Sequence, residues 1–440
     1  MKKILDLFLK RSPTQKLQSI QGLLDQGKFA DAHQQLLALK NQRDLDLKDR
    51  FKIANMLPLI DQDQQAIELF RELGRGEDPR IAKKSFSVAM SIHRRLQQPE
   101  LAIDAAIESC ALGGSVPWSS VSRLLDDCDD AAAVRLRQKM NDLHPSEKYP
   151  FYKLFSLIEN RLSNSDSSLE MMKTSARLGF GKRKSTVPWD ESNPLLRPSF
   201  IVIGGMKCGS TTLFNQITSH PKCLSPLEKE LQFFQYPELD PDWYFQHFPR
   251  AKSGSGFITG EGSPGYFAYD IVGRVKSLLP NVKLIFVRRD PVARAISHLR
   301  HNIRYGMAGK GVAAVLENVD ALQSAICDNP AEAEETMRLL FRGETSFSNH
   351  FLALGCYEIL LGRWRRQFSG QLLELELDEF QANPVAVMNQ VFEFLELEPV
   401  EVPNESSNVG QYSRSDAETE RVMERLREFY SQVDQAWGSR

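Results

Sequence analysis

The chain divides into two halves that differ in the spacing of their apolar residues. In residues 1–180 apolar side chains recur every three or four positions, which is the spacing of amphipathic helices. From Ser199 onward, short apolar runs alternate with helical patterns, which is typical of helices packed on a parallel sheet. Residues 181–197 contain glycines, prolines and clustered charges without periodicity. We therefore predict an all-α domain over 1–180, a linker over 181–197 and an α/β domain over 198–440.

A faint repeat underlies the helical half. Ala32, Ala66 and Ala102 end similar sequence blocks, and the separations are 34 and then 36 residues. An alanine at such a point lets two helices approach closely, and a period near 34 resembles the tetratricopeptide repeat. The glycine and aromatic positions of that repeat are kept only in the first block, as Gly27 and Phe29. A generic helical domain is the alternative, and its role is either internal packing or a docking surface for a protein partner.

The second half is predicted to be a P-loop-like three-layer α/β domain with a central parallel sheet. The predicted strands are Phe200–Ile203, a strand ending at Gly260 and Glu261, Lys283–Val287 and Leu372–Leu377. The predicted helices lie near Thr211–Ser219, Pro241–Phe248, Tyr269–Leu279, the residues after Pro291, Cys356–Phe368, Pro384–Leu395 and Ala417–Trp437. The stretch Tyr305–Asn349 is predicted to be mobile.

Composition narrows the class of protein. The 440 residues are 42% hydrophobic and 25% charged with a net charge of −2, as in soluble globular proteins, and this near-neutral balance argues against nucleic-acid binding. The six cysteines lack CxxC spacing, which favours a reducing compartment over a zinc site or a disulfide framework. No run approaches the ~18 apolar residues of a membrane span. The start imitates a signal peptide for only a few residues, so we expect a cytoplasmic protein.

The first candidate site is the glycine-bearing turn that follows the first strand of the α/β half. A strand, such a turn and a helix N-terminus direct unpaired backbone N–H groups at one point, which makes an anion site. Gly204 and Gly209 have the spacing of a Walker A loop, but Ser210 stands where the lysine should be. The lysine of this loop is Lys207, so its ammonium is aimed differently from that of an ATPase. An ordinary turn with a solvated lysine is the alternative.

The second candidate is the basic segment after the strand Lys283–Val287. Ligands of open α/β sheets collect beyond the carboxyl ends of strands, so Arg289 is expected at the same edge as Lys207. The planar guanidinium suits a dianionic phosphate, and Ser297 can add a hydroxyl one to two turns along the helix. For Arg300 and Arg304 a solvated basic helix face is the favoured interpretation.

The third candidate is the segment L-E-K-E-L-Q-F-F, Leu227–Phe234. A carboxylate beside two aromatic residues can be partly desolvated and serve as a general base. By itself the segment is weak, because Glu-Lys-Glu runs are usually surface charge.

Together these segments resemble the sulfotransferases that use 3′-phosphoadenosine-5′-phosphosulfate (PAPS), in particular the Golgi-type carbohydrate branch that includes the heparan sulfate enzymes. G-G-M-K-C-G-S-T-T-L is similar to the family's 5′-phosphosulfate loop, and V-R-R-D-P-V-A-R-A-I-S to its 3′-phosphate motif. K-E-L-Q-F-F resembles the segment with the catalytic glutamate, and E-G-S-P-G-Y-F the motif E-K-[ST]-x-x-Y-F. N-V-G-Q-Y, Asn408–Tyr412, resembles the late loop that closes over the nucleotide. The likeness covers residues 197–437, in family order.

The resemblance implies sulfuryl transfer from PAPS to a hydroxyl or amine of a saccharide, without a metal. It implies that Glu230 accepts the proton of the acceptor and that Lys207 stabilises the leaving phosphate oxygen. The residues implied to bind the donor are Lys207, Cys208, Gly209, Ser210, Thr211, Thr212, Arg289, Ser297, Gly410 and Tyr412. An acidic saccharide would suit the basic residues Arg294, Arg300, His301 and Arg304.

Three positions depart from the family pattern or need interpretation. The lysine of E-K-[ST] is Gly262 here, so a second cation near the acceptor is missing or comes from elsewhere. Asn408 stands where the animal enzymes have lysine. Cys208 has no paired histidine in sequence, so we interpret it as a spacer and not as a nucleophile.

Two other functions stay open at this point. A kinase or NTPase with a variant P-loop would need a magnesium-binding aspartate after an apolar strand. Asp290 is the candidate, but Arg288 and Arg289 precede it, which is a poor setting for magnesium. The other is a helical-repeat adaptor with an inactive α/β domain, which the presence of Lys207 and Glu230 argues against.

Overall fold

The computed structural model describes residues 12–401 and 417–437, except 26–27, 41, 43–44, 144–146, 184–186, 305–311 and 347–348. The chain forms two compact units, Met1–Lys182 and Arg183–Arg440. In the described residues no helix is long and apolar enough to cross a membrane.

The described part of the first unit is built from helices. They are α1 Pro13–Asp25, α2 Phe29–Lys40, α3 Leu47–Met56, α4 Asp63–Gly74, α5 Pro79–Arg95, α6 Pro99–Ala111, α7 Trp118–Asp126, α8 Asp130–Asp142, α9 Tyr149–Arg161 and α10 Ser165–Gly181, with a 3₁₀ turn at Leu57–Ile60. Aspartate side chains cap several of these helices, because a carboxylate satisfies backbone N–H groups that have no acceptor inside the helix. The caps are Asp46 on α3, Asp78 on α5 and Asp129 on α8.

A small buried residue recurs at the same point of alternate helices in this unit. Ala32, Ala66 and Ala102 are the fourth residues of α2, α4 and α6, and all three are buried. Ala133 in α8 and Ser168 in α10 are also buried fourth residues. A small side chain there permits close helix packing, so the regularity continues beyond the three blocks seen in the sequence. Membership of the tetratricopeptide class stays a prediction.

The second unit contains a four-stranded parallel sheet. Its strands are β1 Phe200–Gly204, β2 Gly260–Glu261, β3 Lys283–Arg288 and β4 Leu372–Glu376, in the order β2-β1-β3-β4. Ile201 lies opposite Glu261 on one side and Leu284 on the other, and Val287 lies opposite Leu375. The parallel sheet and its strands are therefore confirmed, with β3 and β4 each ending within one residue of the predicted position.

The helices of this unit are α11 Ser210–Thr218, α12 Pro241–Phe245, α13 Val272–Leu278, α14 Pro291–Arg304, α15 Val319–Cys327, α16 Ala333–Arg342, α17 His350–Ala353, α18 Tyr357–Gln367, α19 Leu377–Ala382, α20 Pro384–Phe394 and α21 Ala417–Trp437. Short 3₁₀ turns lie at Phe233–Gln235, Tyr266–Ala268, Val312–Leu316 and Pro330–Glu332.

Helical segments cover both faces of the sheet. On one face Val202 and Ile285 belong to a core cluster with residues of α11 and α20. On the other face the ring of Phe286 lies 4.9 Å from that of Phe267 and 5.4 Å from that of Tyr357, centroid to centroid. Alternate residues of a strand point to opposite faces, so Ile285 and Phe286 pack into different layers. The three-layer architecture is therefore confirmed.

The prediction that Tyr305–Asn349 is mobile was wrong for the residues that the structure describes. This stretch contains α15 and α16, which bury Leu322, Ile326, Met337 and Leu340. The apolar residues recur at helical spacing, but each helix has only three buried positions. A pattern that short is easily overlooked in sequence.

Candidate functional site

The loop after β1 turns sharply into α11. The N–H of Gly205 donates to the carbonyl of Val287 at 2.9 Å, which ties the loop to β3. Lys207 and Gly209 have φ angles of 67° and 82°, in the left-handed region. A Cβ on Gly209 would lie 2.8 Å from Cδ1 of Leu377. Glycine is therefore required at Gly209 by both conformation and contact.

The predicted loop residues gather at the start of α11. Ser210 is the first residue of this helix, and Thr211 and Thr212 complete its first turn. The first N–H groups of a helix have no acceptor inside it, and the helix dipole is positive at that end. This end of α11 therefore suits an anion.

Cys208 points into the protein core. Its side chain is buried, and Sγ lies 3.7 Å from Oη of Tyr357. Burial raises the pKa of the Cys208 thiol, which disfavours the reactive thiolate. The geometry agrees with the interpretation of Cys208 as a spacer, so it can offer a ligand only its backbone.

Arg289 lies against the loop that carries Lys207. Its Nη1 donates to the Lys207 carbonyl at 3.0 Å, and Oη of Tyr357 donates to the Arg289 carbonyl at 3.1 Å. Nζ of Lys207 lies 3.2 Å from Nδ1 of His301 on α14. Ser297, one turn earlier on α14, is buried. The carboxyl ends of β1 and β3 thus bring the two predicted phosphate-binding cations together.

The neighbourhood of these cations favours negative charge. Burial and, after it, the charges of Arg294, His301 and Lys207 lower the pKa of His298 to about 3. The His298 imidazole is therefore neutral, and its neighbours set a positive local potential. Cations and a helix N-terminus are the groups that hold phosphates in proteins, so these residues fit a nucleotide with more than one phosphate.

Of the residues that the sequence predicted for this site, one points into the core and others lie outside the described residues. Arg294 is buried and donates to the carbonyl of Phe351, so the expectation that it meets an acidic saccharide was wrong. Its position after Asp290 on α14 turns it toward the core. Gly410 and Tyr412, and the side chain of Arg304, lie outside the described residues.

Asp290 serves as a helix cap. Its Oδ1 accepts from the N–H of Ala293 at 2.7 Å, at the start of α14. One oxygen of the carboxylate that an NTPase would need for magnesium is thus bonded to the backbone. In the described ranges, no group of three or more His, Cys, Asp or Glu residues could hold a metal ion.

Glu230 is joined to the start of α11 by a lysine that the sequence did not single out. Nζ of Lys229 donates to Oε1 of Glu230 at 2.8 Å and to Oγ1 of Thr211 at 3.0 Å. The Glu230 side chain is 45% exposed, whereas that of Lys229 is 17% exposed. The predicted base therefore lies beside the loop and remains accessible to an acceptor. In the sequence, the only feature that pointed to Lys229 was its position directly before Glu230. A lysine between two glutamates looked like ordinary surface charge.

The backbone after Glu230 is anchored by Glu261 and Ser263. Oγ of Ser263 accepts from the N–H groups of Leu231 and Gln232, both at 3.0 Å, and donates to Oε2 of Glu261 at 2.6 Å. Oη of Tyr244 donates to Oε1 of Glu261 at 2.7 Å. The hydroxyl groups offset part of the burial cost, yet burial still raises the pKa of the Glu261 carboxyl to about 7. The end of β2 thus fixes the segment that carries Glu230.

Several known proteins are similar to part of this chain. The sequence profile of the sulfotransferase domain matches residues 197–417. The bifunctional heparan sulfate N-deacetylase/N-sulfotransferase 2 of Homo sapiens is 30% identical over 211 residues, which are 46% of this chain and 22% of that enzyme. A membrane-associated sulfotransferase of Dictyostelium discoideum is 35% identical over 118 residues, 26% of this chain and 25% of that protein. The chain thus spans about a fifth to a quarter of the length of these relatives.

Among solved structures, a sulfotransferase from Alicyclobacillus acidocaldarius matches with 22% sequence identity and a TM-score of 0.41. The match covers 55% of this chain and 95% of that one.

Proposed function

This chain belongs to the sulfotransferase domain family, and we propose that it transfers a sulfuryl group from PAPS to an amine or hydroxyl of a saccharide. The observation that carries the proposal is the placement of Lys207, Arg289 and Glu230 around the start of α11. The Arg289 guanidinium holds the Lys207 loop at 3.0 Å. The Glu230 carboxylate is linked to Thr211 of the same helix through Lys229.

The donor is proposed to bind across the carboxyl ends of β1 and β3. Backbone N–H groups of Cys208–Thr212 would hold the 5′-phosphate at the helix N-terminus. Arg289 and Ser297 would recognise the 3′-phosphate, a task that suits the planar guanidinium fork. Burial first, and after it the charges of Arg294, His301 and Lys207, lower the pKa of His298, and the part due to these cations supports this placement.

The chemistry proposed for the site is one in-line displacement. PAPS supplies the sulfuryl group on its 5′-phosphate. As the acceptor nitrogen or oxygen bonds to sulfur, the bond between sulfur and the bridging phosphate oxygen breaks, and its electron pair stays on that oxygen. Glu230 accepts the proton that the acceptor loses. Lys207 donates to the oxygen that gains charge, an effect typically worth a few kcal/mol.

The proposed acceptor is a saccharide with a reactive amine or hydroxyl. Its support is the similarity of this chain to the heparan sulfate enzyme, whose name includes N-sulfotransferase. The exposure of Glu230 also agrees with an acceptor that approaches from solvent. The helical unit is proposed as a docking surface for a protein partner.

Sulfuryl transfer from [³⁵S]PAPS tests this proposal. The acceptors are a heparan-type polysaccharide with free amino groups and the same polymer with every amine acetylated. We expect incorporation by the wild type, a loss of at least about a hundredfold in kcat for Glu230→Gln and for Lys207→Ala, and near-normal activity for the control Glu228→Gln. If Glu230→Gln or Lys207→Ala transferred at the wild-type rate, the role given to that residue would be wrong. Absence of transfer to either polymer by protein that binds the donor would contradict the saccharide acceptor.

A further inference from the structure

The side chain of Lys229 occupies the space in front of Gly262. The N–H of Gly262 donates to the Lys229 carbonyl at 2.8 Å, so the two backbones are paired. A Cβ on Gly262 would lie 3.1 Å from Cε and 3.4 Å from Cγ of Lys229, and 3.0 Å from Cδ2 of Phe214. The distances of 3.0 and 3.1 Å are tighter than ordinary van der Waals contact. A larger residue at position 262 would therefore compete with the Lys229 side chain for the same space.

The ammonium of Lys229 is held between the donor loop and the base. It contacts Thr211 of the first helical turn and the carboxylate of Glu230. An ammonium has three N–H donors, and the part of the chain that the structure describes supplies two acceptors to it. A third donor can therefore be directed at an anion that lies between Thr211 and Glu230.

This setting differs from that of a solvated surface lysine. The Lys229 side chain is 17% exposed and its stem lies along the backbone at Gly262. A partly desolvated, oriented cation stabilises developing negative charge more than an exposed one, because less of its field is screened by water.

We propose that Lys229 supplies the second cation of the transfer site, donating to an oxygen of the sulfuryl group while it moves from phosphate to acceptor. Lys229 and Phe214 together leave room only for a small residue at position 262. This inference rests on the proposed function. It predicts that an ammonium can be delivered to the same point from either position 229 or position 262, but not from both at once.

Three variants test the inference: Lys229→Ala, Lys229→Ala with Gly262→Lys, and Lys229→Ala with Gly262→Met. We expect Lys229→Ala to lower kcat by about thirtyfold or more, since it removes a contact made in the transition state. Adenosine 3′,5′-bisphosphate has no sulfuryl group, so its Kd should change less than about threefold, whereas a collapsed loop would weaken it strongly. Lysine at position 262 should restore kcat by about tenfold or more, and methionine, which fills the space without charge, should not.

The failures of the inference and of the proposed function are distinguishable. Undiminished kcat in Lys229→Ala, or equal recovery by lysine and methionine at position 262, would overturn the role of Lys229 while leaving the sulfotransferase intact. Wild-type protein that neither binds adenosine 3′,5′-bisphosphate nor turns over PAPS would overturn the proposed function, and this inference with it.

Discussion

The buried carboxyl of Glu261 makes the stability of the α/β unit depend on pH. Glu261 is fully buried and accepts hydrogen bonds from the hydroxyls of Tyr244 and Ser263. Burial raises its pKa from 4.5 to about 7, so the native state keeps the proton at pH values where the unfolded chain has released it. The stability that this proton contributes is fully present below about pH 4.5 and is lost as the pH rises through about 7.

The expected size follows from the difference between the two pKa values. One unit of difference corresponds to about 1.4 kcal/mol, so the full effect is about 3 kcal/mol. In Glu261→Gln the side chain stays neutral at every pH and this contribution is constant. The free energy of unfolding of the variant minus that of the wild type should therefore increase by about 2 to 3 kcal/mol between about pH 5 and about pH 8.

Hydrogen exchange measured against urea concentration is the assay, read from peptides that cover residues 258–268. Comparison of Glu261→Gln with the wild type at each pH cancels the groups that the two proteins share. The control Glu228→Gln makes the same chemical change at a partly exposed carboxylate of the same unit. A difference between Glu261→Gln and the wild type that stays constant across this range would refute the pKa argument.

Two further substitutions probe the segments that position the site. Ser263→Ala removes the Oγ that accepts from the N–H groups of Leu231 and Gln232, each bond worth about 1 kcal/mol, although the Leu231 N–H keeps Oε2 of Glu261 at 3.3 Å. We expect kcat to fall about tenfold while the Kd of adenosine 3′,5′-bisphosphate stays within about threefold. Unchanged kcat would show that the anchor is dispensable. In Gly209→Ala the new methyl group would contact Leu377, and the φ of 82° is unfavourable for alanine. We therefore expect the free energy of unfolding in urea to fall by about 1 to 3 kcal/mol and the nucleotide to bind at least about tenfold more weakly in calorimetry. Gly273→Ala, which meets no atom within 4 Å, is its control, and equal behaviour of the two alanine variants would contradict the requirement for glycine.

The elements of the α/β unit follow directly from local sequence. A short apolar run such as Lys283–Val287 favours a buried strand, and Ala417–Trp437 has helical spacing throughout, so both were predicted within a residue. The meeting of Lys207 and Arg289 was predictable as well, because both follow parallel strands at one sheet edge.

Contacts between segments remote in sequence were beyond such reasoning. In the sequence, Lys229 looks like surface charge. The contact of its side chain with Gly262, which directly follows β2, is visible only in the structure. Glu261 is recognisable as an anchor only once Ser263 and Tyr244 are seen to converge on it. The repeat of the helical unit was similarly obscured, since Ser168 stands where alanine stands in the earlier blocks.

Calorimetric titration with adenosine 3′,5′-bisphosphate, beside AMP and ATP with magnesium, tests the assignment of the donor site. The variants are Arg289→Ala and the control Arg288→Ala, whose guanidinium binds Glu358 and Glu374 and not the loop. We predict binding that weakens at least about tenfold when the 3′-phosphate is absent or Arg289 is replaced, and that persists in Arg288→Ala. A preference for ATP with magnesium, or equal binding of AMP and the bisphosphate, would contradict the assignment.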